Sequence, residues 1–148
     1  MKEPTWLLKQ LVLACHAEAM QDHGGSDGLR DEGLLDSALA RPRHLFAYES
    51  ADLCRLAASY AHGIAKNHPF VDGNKRAAFV AAAVFLVVNE LELTALPAHA
   101  AVFVQALAAG EIGEAEFAAW LRDVTRKVKK VRRARPKVGS RKRRTARK

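Results

Sequence analysis

Apolar residues recur along this chain at helical spacing. Between residues 6 and 20, Leu8, Leu11, Val12, Cys15 and Ala19 fall on one helical face, and Gly24 and Gly25 stop the pattern. The stretch 24–31, GGSDGLRD, is rich in turn residues, and Asp31 is placed to cap a second helix through Leu34, Leu35 and Leu39 that Pro42 should end. Ser50 can cap a third helix, with Leu53, Leu56, Ala57 and Tyr60 on one face, running to about Lys66 before Pro69. Residues 77–88, AAFVAAAVFLVV, are apolar on every side and predict a buried helix, too long for an ordinary strand and too short to span a bilayer. Pro97 suits the first turn of a fifth helix that breaks at Gly110. A last helix starts near Glu114, and the spacing of Phe117, Trp120, Leu121, Val124, Val128 and Val131 carries it on toward Pro136. No segment reads as a strand. The expected fold is all-α, a compact bundle of about six helices around a buried central one.

Composition narrows this picture. A chain of 148 residues with 49% hydrophobic content suits one ordered domain and leaves no room for a second catalytic one. The formal net charge of +8 conceals a division: residues 126–148 hold 14 basic and no acidic side chains, leaving residues 1–125 with 10 basic and 16 acidic, a net −6. We therefore divide the chain into an acidic catalytic body, 1–125, and a basic C-terminal extension, 126–148, helical at first and then disordered. Cys15 and Cys54 sit within apolar helical patterns and read as reduced core thiols. The first apolar run is interrupted by His16 and Glu18 with no cleavage pattern after it, so the expected location is cytoplasmic, with no membrane role.

The candidate chemistry is concentrated in nine consecutive residues, HPFVDGNKR, from His68 to Arg76. Gly73 and Asn74 stand where the buried helix begins, and free backbone N–H groups there, aided by the helix dipole, attract anions. Lys75 and Arg76 add positive charge to that already positive end, at about 0.5 kcal/mol each unless an anion is bound. Asp72 is in reach of the same spot, and one carboxylate together with nucleotide phosphates is a usual way to hold Mg²⁺. His68, four residues earlier, has a side chain suited to accept a hydroxyl proton. Phe70 is expected to anchor the loop in the core.

This segment resembles the signature of the Fic/Doc family, H-x-F-x-(D/E)-(G/A)-N-(G/K)-R ahead of a central helix, at every fixed position. HAEAMQDHGGSDGLRDEGLLDSALARPRHLFAY and ALAAGEIGEAEFAAWL are similar to flanking parts of Doc-type proteins, so the resemblance covers about residues 5–125. It implies a Doc-type (death-on-curing) toxin that passes the terminal phosphate of ATP to a threonine of elongation factor Tu and halts protein synthesis. By the same resemblance, His68 is the general base, Asp72 binds Mg²⁺, and Gly73, Asn74, Lys75 and Arg76 hold the phosphates. Arg30 and Asp31 belong to a loop facing target or nucleotide. The partner implied is an antitoxin of the prevent-host-death type.

Two other functions compete. AMP-transferring Fic proteins carry a second glycine where this chain has Lys75 and a second arginine where it has Phe79, and both departures are Doc-like. A nucleic-acid-binding module acting through the basic extension is the alternative from another class. The extension supports weak, salt-sensitive binding, but no base-reading motif or aromatic platform accompanies it. His16, His23, His44, His62 and His99 lack metal-ligand spacing and read as structural or surface groups.

Overall fold

The computed structural model describes residues 2–128. Four helices come first: α1 (Lys9–His23), α2 (Glu32–Tyr48), α3 (Leu53–Asn67) and α4 (Asn74–Val88). They are followed by β1 (Leu91–Leu93), α5 (Pro97–Ala109), α6 (Glu114–Asp123) and β2 (Thr125–Lys127). The all-α bundle of six helices expected from the periodicity is present among the described residues.

Its centre is shared by α3 and α4. α3 buries Leu56, Ala57, Ala58, Tyr60, Ala61 and Ile64 between α2, α4 and α6. α4 presents Ala77, Ala78, Ala81 and Ala82 together with Phe85 and Leu86, and its small side chains let neighbouring helices approach closely. Each large side chain buried here, such as Phe85 or Leu86, contributes about 1.5–3 kcal/mol. α4 is not enclosed on every side, however. Val87 and Val88 are exposed and Val80 and Val84 half-buried, because only α1 covers that flank and leaves an apolar groove beside it. Cys54 is buried, Cys15 half-buried, and both thiols are free. No helix among the described residues is long and apolar enough to cross a membrane.

Four local expectations are corrected. Pro42 lies inside α2 and is buried, because Leu45 and Phe46 beyond it pack on the core and Arg43 stacks over Trp6, which outweighs the lost backbone bond. Asp52 rather than Ser50 caps α3: its carboxylate accepts from the Arg55 N–H at 2.9 Å and also binds Arg122 through two contacts of 2.8 and 3.0 Å. α6 does not continue into the basic segment. It ends at Asp123, where the Thr125 hydroxyl takes the Leu121 carbonyl at 2.7 Å and the chain turns into β2. Strands do occur, since β2 pairs antiparallel with β1 in the register Leu91 to Lys127 and Leu93 to Thr125. Arg126 and Lys127 are thus strand residues and not helical ones. Val131, Pro136 and the disorder expected of the extension lie outside the described residues.

Candidate active site

The motif begins where α3 ends. His68 is the C-cap of α3 in the left-handed region, φ 51° and ψ 56°, a conformation that costs a residue with a Cβ about 1 kcal/mol. Asn74, 7% exposed, holds the loop closed: its Oδ1 accepts from the Phe70 N–H at 2.9 Å and its Nδ2 donates to the Phe70 carbonyl at 3.0 Å. The same Nδ2 lies 3.3 Å from His68 Nδ1. Phe70 is 1% exposed, as expected of an anchor. Proline, anchor and asparagine together fold the nine residues into a rigid loop that exposes His68, Asp72, Lys75 and Arg76.

These exposed groups border one cleft of about 490 Å³, completed by Gly73, Asn74, Gln105 and the small Ala108 and Ala109 of α5. That volume suits a small-molecule ligand. α4 starts here without a side-chain cap and without an acidic residue in its first turn. Its first bond runs from the Ala77 N–H to the Gly73 carbonyl at 2.9 Å, and the N–H groups before it are those a helix leaves unpaired. Lys75 and Arg76 form no ion pair among the described residues. The arrangement is built for an anion.

The Asp72 carboxylate is oriented by backbone groups, Oδ1 accepting from the Gly73 N–H at 2.8 Å and Oδ2 from the Ser26 N–H at 3.3 Å. No group of three or more His, Cys, Asp or Glu side chains suited to a metal exists among the described residues. A lone exposed carboxylate fits Mg²⁺ shared with phosphates and water, and does not fit a zinc or calcium cage.

Several site residues have work other than that expected. Gly73 adopts φ 74°, and a Cβ there would overlap Met20 Cε and lie 2.9 Å from its Sδ. The glycine therefore admits α1 from behind the loop, beyond any approach of phosphate in front. The Asn74 side chain bonds to the Phe70 backbone and lies near His68, while Asn74 also lines the cleft. Arg30 and Asp31 do not border the cleft. Arg30 donates from Nε to the His68 carbonyl at 2.8 Å and from Nη2 to the Asn67 carbonyl at 3.0 Å, terminating α3, while Asp31 caps α2 by accepting from the Leu34 N–H at 3.0 Å. Backbone bonds from Arg30 and Asp31 to the Pro69 carbonyl, and a Leu29–Phe70 bridge, lay segment 28–31 along the motif. His16, one of the histidines expected to be structural or surface groups, is structural and meets the motif at the Asp72 carbonyl and the Phe70 ring. It is 3% exposed and sits between Val12 and Met20 at four-residue steps on the buried face of α1, a spacing that was available in the sequence.

Residues 6–86 match the Fic/DOC family. A protein named Toxin Doc, from Mycolicibacterium smegmatis, is 45% identical over 74 residues, which are 49% of this chain and 57% of that relative. A protein named Protein kinase doc, from Escherichia phage P1, is 34% identical over 112 residues, 75% of this chain and 88% of its own length. The chain thus spans little more than half of the first relative and most of the second.

Proposed function

The chain belongs to the Fic/DOC family, and from that premise we propose that it is a Doc-type toxin that transfers the terminal phosphate of ATP to a hydroxyl of elongation factor Tu, stopping translation. The observation that carries this reading is the single cleft bordered by His68, Asp72, Lys75 and Arg76 at the open start of α4. In it, the α4 N–H groups with Lys75 and Arg76 hold phosphate oxygens, and Asp72 provides the protein's ligand to Mg²⁺. Mg²⁺ held there would supply neutralisation of the phosphate charge, including the charge left on the departing ADP. His68 takes the proton from the target hydroxyl as its oxygen bonds to phosphorus. Receiving it on Nε2 requires the tautomer with the proton on Nδ1, in which the 3.3 Å contact from Asn74 Nδ2 is given up, while the two shorter bonds of Asn74 to the Phe70 backbone remain. Arg30 supports the step indirectly by fixing the His68 carbonyl.

Transfer of AMP is the second reading. Phe79 speaks against it, since at the position of the second phosphate-binding arginine it offers no donor and packs in a recess beside the cleft that Pro97, Ala100 and Val104 line together with Lys75, Arg76 and Gln105. We assign the protein to the cytoplasm, with a neutralising antitoxin of the prevent-host-death type as partner. The basic extension adds weak binding to nucleic acid.

The test is to incubate the protein with Mg²⁺, elongation factor Tu and ATP labelled at the terminal or the alpha phosphate. Terminal label is expected on the target, and Asp72→Asn should abolish it. Alpha label would establish AMP transfer instead, and no label on this target would refute the choice of elongation factor Tu. Expression of the protein should arrest growth, co-expression of an antitoxin encoded beside it should restore growth, and adjacent genes without protective effect would count against the antitoxin pairing.

A further inference from the structure

We propose that His16, on α1 and outside the motif, is a positioning residue that sets the direction of the Asp72 carboxylate; the inference rests on the assignment of Asp72 to Mg²⁺. The His16 Nε2 lies 2.8 Å from the Asp72 carbonyl oxygen. A carbonyl only accepts, so Nε2 carries the ring proton and donates it. That carbonyl belongs to the same planar peptide unit as the Gly73 N–H, and this N–H is the group that holds Asp72 Oδ1 at 2.8 Å. Fixing one end of the plane fixes the other. His16 thereby controls, through one rigid peptide, where the carboxylate faces.

Three further contacts hold the imidazole in place. Its ring stacks on Phe70 at 3.8 Å between centroids and 11° between planes. Its Nδ1 lies 3.9 Å from Asp27 Oδ1, in the loop whose Ser26 N–H reaches Asp72 Oδ2. Met20, one turn further along α1, fills the space behind Gly73. If stacking alone were needed, a phenylalanine would serve at position 16. The feature that only a donor supplies is the bond to the Asp72 carbonyl, which precedes α4 and has no helical partner of its own. Groups that support metal ligands in this way change metal affinity by about 10–100-fold when removed.

The experiment measures ATP binding by calorimetry to the full chain, with Mg²⁺ and with EDTA, for wild type, His16→Phe and His16→Gln. Phenylalanine keeps the ring and removes the donor, while glutamine keeps a donor and removes the ring. The expected result is that Mg²⁺ strengthens ATP binding to wild type, that His16→Phe loses about tenfold or more of this gain with its EDTA affinity unchanged, and that His16→Gln retains most of it. An undiminished gain in His16→Phe, or an equal loss with and without Mg²⁺, would overturn the inference and leave a purely structural histidine. No Mg²⁺-dependent gain in wild type would instead overturn the metal reading itself. If His16→Phe does not fold, ¹⁵N spectra of the wild-type imidazole decide the matter, since a ring protonated on Nδ1 alone cannot make this bond.

Discussion

His68 combines a backbone conformation unfavourable to any side chain with the chemistry for which the side chain is needed. His68→Ala should lower transfer by about 10²-fold or more while ATP still binds, as read by single-turnover assays and calorimetry. His68→Gly should be equally inactive yet more stable than the alanine variant by about 1 kcal/mol, because glycine enters the left-handed region freely; equal melting temperatures would refute the strain. Gly73 gives the converse case. Gly73→Ala is expected to cost more than about 1 kcal/mol through both φ and the clash with Met20, and Met20→Ala should return part of it in thermal unfolding. The nine motif residues were legible in the sequence because they are consecutive, so their proximity needed no knowledge of the fold. His16 acts across 56 positions, and nothing in a single chain indicates which buried histidine meets which carbonyl.

Helices were legible where their own residues decide them. Asp31, Pro97, Gly110 and Glu114 mark boundaries that the structure keeps, since caps, turns and breaks act locally. Elements were misread where tertiary contacts override local preference, as at Pro42, or where two three-residue strands stabilise each other across the chain. The packing of α6 onto α3, with one ion pair reaching α2, is a case that sequence could not show. Glu114, at its first position, bridges Arg41 of α2 and Arg55 of α3, and Asp52 at the start of α3 binds Arg122 near its end. Glu114→Gln should destabilise the fold by about 2 kcal/mol, measured by urea unfolding, because two arginines then face each other without their carboxylate. Beside this cluster, burial pushes the His62 imidazole below its usual pKa of 6.5, assisted by Arg41 and Lys66 and opposed by Glu114. The folded state therefore favours the neutral ring. Its contribution is complete above about pH 6.5 and is lost as the pH falls through the lower, folded-state value, because the unfolded chain binds the proton more readily. The melting temperature of wild type should fall between pH 7.5 and 5.5, and His62→Leu should reduce that slope.

At the scale of the molecule, charge is divided between residues 1–125, with a net −6, and residues 126–148, with 14 basic side chains and no acidic ones. Binding to RNA should accordingly fall steeply with salt, disappear when residues 129–148 are replaced by an uncharged sequence, and survive His68→Ala, while phosphate transfer persists without residues 136–148. RNA affinity indifferent to salt would refute this electrostatic account. The ends of the described chain also meet. The Asn89 side chain pairs with both the N–H and the carbonyl of Thr5, at 2.8 and 2.9 Å, and the Val128 N–H donates to the Glu90 carbonyl at 3.0 Å. Both junctions lie just past the last residue of α4, whereas the cleft lies at its first, about 21 Å away along a 15-residue helix. A fluorophore or affinity handle attached at either junction would thus stand at the far pole from the reacting groups, and a circular permutant joining the two should keep its cleft intact.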